Sequence, residues 1–329
     1  MFRRSLLSLA AAATVSVVVT GPAAAAEPVW PQAKPINLIV PFSAGGNVDF
    51  QARLIGQKLA ERLGQSVVID NVPGAGGVMG VSKAINAKPD GYSIVMGFDG
   101  AISVAQLVNK AVKYDAEKDL LPIGLVSIAP TVLMASPSLS AKSLPEFIAY
   151  AKAHPGKVTY GTSGVGTVLH LAMEMLQERT GTKLVHVPYR GGAQIINDVM
   201  GGQVDSGVLV TTSATPLVKQ GKLQALGVTS QQRLESLPQV PTFAETPALK
   251  GFEINTWTGL FAPKGTPAPV VTRLATELAA VLQLPDVQQR LKDGGATPGT
   301  GTPESFMAYL QKEKASYTAI VRSAKIEQE

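Results

Sequence analysis

The sequence predicts an α/β protein of two domains, each built on a parallel sheet with helices on both faces. Residues 36–98 read as alternating strands and helices, and residues 130–225 repeat that order without convincing sequence identity between the halves. Strands that alternate with helices form parallel sheets, because each helix carries the chain back to the start of the next strand. The 329 residues are enough for two ordinary domains, and 45% hydrophobic against 16% charged residues excludes a disordered chain.

The first half of this pattern starts at an apolar run. Strands are predicted at 36–41, 66–71 and 92–98, and helices at 48–63 and 79–87. Gly64 ends the first helix, and Pro89–Gly91 forms the turn before the third strand. A mixed, partly helical segment at 99–121 follows. Two apolar runs at 123–129 and 131–135 then predict one long strand that crosses to the second domain.

The second half continues with the same alternation. Helices are predicted at 144–153, 168–179, 193–200 and 214–220, and strands at 158–160, 184–187, 204–210 and 223–228. The last strand returns the chain, so that two crossover strands would form a hinge. Residues 231–266 are turn-rich, and amphipathic helices are predicted at 270–284 and 303–325. The predicted division is 27–128 with 227–329 as domain 1, and 129–226 as domain 2.

Residues 1–26 are predicted to be a signal peptide. Arg3 and Arg4 precede an apolar run at 6–20, and Ala24–Ala26 forms a small-residue cleavage site. The alternative, a membrane anchor, is disfavoured because the run is short for a span of about 20 residues. The chain has no cysteine, so neither a lipid-anchored cleavage site nor thiol chemistry is expected. These features predict a free periplasmic protein.

Charge and histidine spacing exclude two classes of function. The net charge is +5, and loss of Arg3 and Arg4 leaves 27 basic and 24 acidic residues, or +3. That is too mild and too dispersed for a nucleic-acid partner. His154, His170 and His186 lack the spacing of metal ligands. We therefore expect no nucleic acid, no metal and no cofactor.

Two Gly-rich loops, at 43–47 and 161–167, each lead from a strand into a helix. Such loops aim backbone N–H groups and the positive end of the helix dipole at one point, which suits an anion. The alternative is a tight turn with no ligand. Asp49 lies in the first helical turn and would repel an anion, so it is expected to order the loop or to act on a ligand indirectly. For His170, a loop-ordering role and a packing role both remain open.

Enzyme motifs fail at each Gly-rich stretch. A nucleophile elbow would need glycine where Val165 stands, so Ser163 has no support as a nucleophile. A dinucleotide fingerprint would need glycine where Met79 stands, so Gly74–Gly80 is predicted to be a plain strand-to-helix turn. A nucleotide enzyme is therefore not expected.

Nine short motifs follow one another along the chain. They are IVPFSAGG at 39–46 with Asp49, Ala52 and Arg53, LGQ at 63–65, NVPGAGG at 71–77, PDGY at 89–92, YGTSGVGT at 160–167 with His170, VPYRG at 187–191, GQVD at 202–205, LPQVPT at 237–242 and WTGLFAP at 257–263. Each motif is weak alone, but together they resemble the Bug proteins, the periplasmic solute receptors of tripartite tricarboxylate transporters. The resemblance covers nearly the whole mature chain.

The resemblance implies a type II Venus flytrap, a two-domain periplasmic binding protein that closes over a small carboxylate held by backbone N–H groups, hydroxyls and waters. The implied ligand-binding residues are Phe42, Ser43, Ala44, Gly45, Gly46 and Asp49 on one side, and Thr162, Gly164, Val165, Gly166, Thr167, His170 and Tyr189 on the other. Phe42, Phe98–Ala101 and Thr211–Ser213 are expected to shape specificity. The chain departs from the family pattern at Ala44, where proline is common, and near Asn47, where threonine or serine is common.

The predicted function is a monomeric, non-enzymatic receptor. It would deliver a di- or tricarboxylate, an acidic amino acid or an aromatic acid to the membrane components of a tripartite tricarboxylate transporter. One alternative is a receptor that presents its ligand to a membrane sensor kinase. The other is a periplasmic hydrolase, which lacks a nucleophile motif here.

Overall fold

Ten strands form two sheet regions that share one long strand. The computed structural model describes residues 29–299 and 302–323, so the predicted signal peptide lies outside the described residues. The strands are β1 Ile36–Val40, β2 Val67–Asn71, β3 Ser93–Phe98, β4 Leu120–Ala135, β5 Thr159–Thr162, β6 Val185–Pro188, β7 Ser206–Val210, β8 Gln224–Val228, β9 Asn255–Pro263 and β10 Thr297–Pro298.

Eleven α-helices occur in the described part of the chain. They are α1 Asn47–Leu63, α2 Val78–Ile85, α3 Ala105–Val108, α4 Ala116–Asp119, α5 Leu144–Ala153, α6 Val168–Thr180, α7 Gly192–Met200, α8 Thr211–Lys219, α9 Ala268–Leu282, α10 Pro285–Asp293 and α11 Pro303–Ser323. A π-helical turn at Gly100–Val104 and a 3-10 turn at Ala75–Gly77 complete the connections near the site. None of these helices is both long enough and apolar enough to cross a membrane.

The first sheet region contains a parallel core with antiparallel neighbours. β1 pairs in parallel with β2 and β3, as the alternating pattern predicts. β3 then pairs antiparallel with β9, and β9 pairs antiparallel with β4. Leu38 of β1 is fully buried and lies opposite Ile69 and Ile94, so the apolar faces of the three parallel strands meet in the core.

The second sheet region uses the other end of β4. Thr131–Ala135 of β4 pairs antiparallel with β7, and Val132–Ala135 pairs antiparallel with β8. β5 lies between β6 and β7 and is parallel to both. β4 therefore passes from the first region into the second, as the two predicted apolar runs suggested.

The return crossing is made of two pieces. Val228 at the end of β8 lies opposite Val132, and Asn255 at the start of β9 lies opposite Pro130. Between them the N–H of Ile254 donates to the carbonyl of Thr229 over 3.2 Å. β8 and β9 thus follow one another along β4, and residues 230–253 form the connection between them. The predicted return strand is present, but it lies in the second sheet region, and the crossing itself falls between Thr229 and Asn255.

The region 231–266, predicted to be turn-rich, also contains a strand that was not predicted, β9, which lies in the middle of the first sheet region. Thr256–Pro263 is buried along its whole length, so both faces of the strand are covered. Such a strand shows no alternation of polar and apolar residues. Gly259 lets the ring of Phe306 from α11 reach the strand, since a Cβ there would lie 2.2 Å from the ring. Helix α10 was also not predicted.

Candidate functional site

Four helices begin around one pocket at the carboxyl ends of the parallel strands. α1 follows β1 in the first sheet region, whereas α6, α7 and α8 follow β5, β6 and β7 in the second. The first N–H groups of a helix have no partner inside it, and they carry the positive end of the dipole. Helix starts from both sheet regions therefore line the pocket.

Among the residues that the structure describes, the pocket lining is mostly apolar and carries no charged side chain. It encloses about 480 Å³ of space between protein atoms, its mouth included. The Phe42 and Phe98 rings lie 4.6 Å apart and form one wall. The apolar lining residues are Phe42, Val48, Phe98, Leu169, Leu209 and Val210. The others are Gly46, Asn47, Ser163, Gly192, Ser213 and Thr256.

Asp49 holds the first loop in shape. It is only 3% exposed, and its Oδ2 accepts from the Gly45 N–H and from Arg53 Nε, each over 2.9 Å. Gly45 has φ +86°, a conformation that suits glycine. Burial opposes ionisation of Asp49, but hydrogen bonds from Arg53, Gly45 and Asn71 outweigh it and lower the pKa of the carboxyl. The expected loop-ordering contact of Asp49 is therefore present.

Asn71 at the end of β2 also supports the first loop, and sequence reasoning did not single it out. Its Nδ2 lies 3.0 Å from both Asp49 Oδ1 and the Phe42 carbonyl. The residue stands at the head of the NVPGAGG motif, which was the signal available in the sequence.

The two threonine hydroxyls of the second loop turn inward to the loop itself. Thr167 caps α6 by accepting from the His170 N–H over 3.4 Å, and it donates to the Gly164 carbonyl over 2.8 Å. Thr162 Oγ1 lies 2.6 Å from His186 Nε2 and 3.3 Å from the Gly164 N–H. Both threonines are fully buried and shape the loop from inside.

Two stacked histidines support this loop from below. The His170 and His186 rings lie 4.3 Å apart and nearly parallel. His170 Nδ1 accepts from the Gly166 N–H over 3.4 Å, so His170 both packs and contacts the loop. Burial, with the neighbouring His170, lowers the pKa of His186 to about 3, so His186 stays neutral near pH 7. His186 also reaches the loop, through Thr162.

Several residues of the predicted site lie behind or beside the pocket. Tyr189 donates through its hydroxyl to Asp198 over 2.7 Å and through its N–H to the Thr162 carbonyl over 2.8 Å. Ala44 and Gly45 are exposed, and Ser43 Oγ donates to the Arg190 carbonyl over 3.5 Å. Of the thirteen predicted residues, the pocket lining includes Phe42 and Gly46. Phe98 and Ser213, expected to shape specificity, also line it.

The turn at 74–77, predicted to be a plain connection, lies directly against the second loop. A Cβ on Gly76 would lie 2.8 Å from the Val165 carbonyl oxygen, and a Cβ on Gly164 would lie 2.9 Å from Gly76 Cα. Glycine at both positions therefore lets two backbones touch. This contact joins the first sheet region to the second beside the pocket.

A buried acid lies under the pocket at the end of β3. Asp99 is fully buried, and its Oδ2 accepts from the Thr256 hydroxyl and, over 3.0 Å, from the Trp257 N–H. Burial raises the pKa of Asp99 to about 6 despite these hydrogen bonds. Within residues 29–299 and 302–323, no group of three His, Asp or Glu side chains could hold a metal ion.

Comparison with known proteins points to one family. Residues 51–326 match the model of the tripartite tricarboxylate transporter family receptor. A Pseudomonas sp. (strain P51) protein, described as the UPF0065 protein in the tcbD-tcbE intergenic region, is 37% identical over 288 residues. That match covers 88% of this chain and 85% of the relative.

Solved structures agree with this match. The periplasmic binding protein BugD has a TM-score of 0.87 and 36% identity, over 91% of this chain and 100% of its own. The R. palustris protein Rpa4515 with adipate has a TM-score of 0.88 and 33% identity, over 91% and 100%. MatC from Rhodopseudomonas palustris with bound malate has a TM-score of 0.84 and 31% identity, over 88% and 99%. The chain belongs to the tripartite tricarboxylate transporter receptor family, and its fold is that of the Bug-type periplasmic binding proteins.

Proposed function

We propose that this chain is a periplasmic receptor that binds a small organic carboxylate in the pocket and delivers it to a tripartite tricarboxylate transporter. The observation that carries the proposal is the meeting of four helix N-termini at a pocket to which no described residue contributes a charged side chain. Backbone N–H groups and aligned helix dipoles bind an anion without a buried counter-ion.

This arrangement suits a receptor that must release its cargo. A hydrogen bond contributes about 0.5–1.5 kcal/mol net, so several together give useful affinity and each is easily exchanged for water. A buried salt bridge would instead require desolvation of two charges. Related proteins were solved with adipate and with malate, which are both small dicarboxylates.

The apolar lining favours a ligand with a carbon body between or beside its polar groups. Phe42, Phe98 and Leu169 offer apolar surface to a short chain or a ring. We propose that Phe42 and Gly46 touch the ligand. The other predicted positions act by shaping the two loops: Ser43, Ala44, Gly45, Asp49, Thr162, Gly164, Val165, Gly166, Thr167, His170 and Tyr189.

Ligand capture would involve rotation of the two predicted domains, 27–128 with 227–329 and 129–226. The chain crosses between the sheet regions at Pro130–Thr131 and between Thr229 and Asn255, which places both crossings side by side. A ligand that contacts loops of both regions stabilises the arrangement in which the loops meet. We propose that the receptor is a monomer.

A thermal-shift screen of the mature chain tests the binding proposal. The panel contains adipate, malate, aspartate, citrate and benzoate, with adipamide and benzamide as uncharged controls. A binding acid at 100 times its Kd should stabilise the fold by about 2.7 kcal/mol, while the matched amides give no shift. Absence of a shift with every acid would contradict the proposal, and so would a chemically changed acid detected by mass spectrometry.

Delivery is tested in cells. Deletion of the gene should abolish uptake of the radiolabelled acid that binds best, and a plasmid copy should restore it. Normal uptake together with loss of gene induction by that acid would contradict delivery and favour a signalling receptor.

A further inference from the structure

A chain of buried polar side chains leads from the middle of β4 and β9 to the pocket. The hydroxyls of Ser127 and Thr258 donate to Gln51 Oε1, the former over 2.9 Å. Gln51 Nε2 in turn donates to Asn47 Oδ1 over 2.8 Å. Thr212, at the start of α8 in the second sheet region, donates to the same oxygen of Asn47. The chain ends at Asn47, which lines the pocket.

In this network the side-chain oxygen of Asn47 faces Gln51 and Thr212. Because Oδ1 accepts from both Gln51 and Thr212, the amide nitrogen must lie on the opposite side of the group. No residue within 29–299 and 302–323 accepts a hydrogen bond from Asn47 Nδ2. Asn47 is 8% exposed and lines the pocket, so its two N–H donors are available to a ligand there.

Donors also reach the pocket from the second sheet region. The hydroxyls of Ser163 and Ser213 line it and make no hydrogen bond within the described residues. If the backbone N–H groups at the helix starts hold the carboxylate, these side-chain donors need a further acceptor on the ligand. An acid with a single carboxylate would cover them with its apolar body, at a penalty of about 1–3 kcal/mol for each unsatisfied group.

We propose that Asn47 is a specificity-determining residue that selects acids carrying a second oxygen acceptor, either a second carboxylate or a carbonyl. The inference rests on the proposed function, because it concerns the ligand of that same pocket. The helix starts would hold the carboxylate, and Asn47 Nδ2 would donate to the second acceptor. A loss of about 1–3 kcal/mol corresponds to a preference of about 5- to 150-fold over an acid with one acceptor.

Three acids and isothermal calorimetry test this selection. Adipate has two carboxylates, 5-oxohexanoate has a carboxylate and an uncharged carbonyl, and hexanoate has a carboxylate only. The wild-type chain should bind adipate and 5-oxohexanoate at least about fivefold more tightly than hexanoate. Since 5-oxohexanoate and hexanoate carry the same charge, their ratio reports on the acceptor alone.

Two substitutions locate the effect at Asn47. Asn47→Asp keeps an oxygen for Gln51 and Thr212 and replaces the pocket-facing NH₂ by an acceptor. Asn47→Ala removes the amide donors without adding a charge or a new donor. Each folded variant should bring the 5-oxohexanoate to hexanoate ratio close to one. Ser127→Ala is the control, because it removes one hydrogen bond to Gln51 while Thr258 still donates to the same oxygen and Asn47 keeps both of its partners, so it should change all three affinities by the same factor.

The outcomes separate the inference from the proposed function. Equal wild-type affinities for 5-oxohexanoate and hexanoate would overturn the inference, and so would an unchanged ratio in the variants. Binding of benzoate without binding of adipate or 5-oxohexanoate would also overturn it while leaving the receptor function intact. Failure of every acid to bind the wild-type chain would overturn the proposed function and the inference with it.

Discussion

Replacement of Gly76 by alanine should weaken acid binding more than it weakens the fold of the empty protein. Gly76 has φ +58°, and an added Cβ would lie 2.8 Å from the carbonyl oxygen of Val165 in the second loop. The backbone of Gly164 is also packed against Gly76, since a Cβ on Gly164 would lie 2.9 Å from Gly76 Cα. Neither neighbour is a flexible side chain, so the contact between the 74–77 turn and the second loop must open.

The free-energy cost of Gly76→Ala has two parts. A left-handed conformation costs an L-residue about 1–2 kcal/mol, and this strain acts whether or not a ligand is bound. Overpacking against the second loop costs about 1–3 kcal/mol, and it acts only when the two backbones touch. If the acid binds when they touch, the second part appears in the binding free energy. The Kd for adipate should then rise by about 5- to 150-fold.

Calorimetry with adipate and urea unfolding of the empty protein separate these parts. Gly156→Ala is the matched control, since Gly156 has φ +69° and an added Cβ would meet nothing within 4 Å. It should lose stability to a similar extent and keep the wild-type Kd. Equal affinities of Gly76→Ala and Gly156→Ala for adipate would refute the idea that the turn and the second loop touch in the bound state.

Three further substitutions test other parts of the site. Asp49→Asn should lower the free energy of unfolding at pH 7 by about 1–3 kcal/mol, because only one oxygen remains to accept from Gly45, Arg53 and Asn71; an unchanged urea midpoint would contradict the loop-ordering role. Gly46→Val should weaken adipate binding without backbone strain, because Gly46 has φ −89° and an added Cβ would lie 3.6 Å from the Gly192 nitrogen; a wild-type calorimetric Kd would remove this position from the site. Asp99→Asn should flatten the pH dependence of stability. Because burial raises the pKa of Asp99 to about 6, the folded protein binds a proton that the unfolded chain releases near pH 4. The wild-type free energy of unfolding should therefore fall, relative to the variant, by up to about 3 kcal/mol between pH 4 and pH 7. Parallel pH profiles of the two proteins would count against this.

Local sequence patterns predicted most of the helices and strands, because residues with a defined backbone conformation mark where these elements start or end. Gly64 and Gly181 end α1 and α6 in the left-handed conformation, and Ser143 with Pro145 starts α5. β9 was not predicted because no such residue marks where it starts. It is buried on both faces, and its neighbours β3 and β4 are more than 120 residues away in sequence.

Only the main-chain part of the site was predictable from the sequence. The Gly-rich loops and their helix starts follow from the sequence, since their donors belong to the main chain. The side chains that complete the pocket come from distant segments. Thr212 reaches Asn47 across 165 residues, and Thr256 reaches Asp99 across 157. Spacing along the chain carries no information about such contacts, and the ligand-binding role of the thirteen predicted residues remains a prediction.

Pro130 has a mechanical consequence for the joint between the two sheet regions. β4 changes partners between Pro130, opposite Asn255, and Thr131, opposite Val210. Proline has no N–H, so the ladder lacks one hydrogen bond at the residue where the strand leaves the first region. Its fixed φ also limits the backbone there to rotation about ψ. A bend of β4 at this residue would break fewer hydrogen bonds than a bend elsewhere along the strand, and its direction would be restricted.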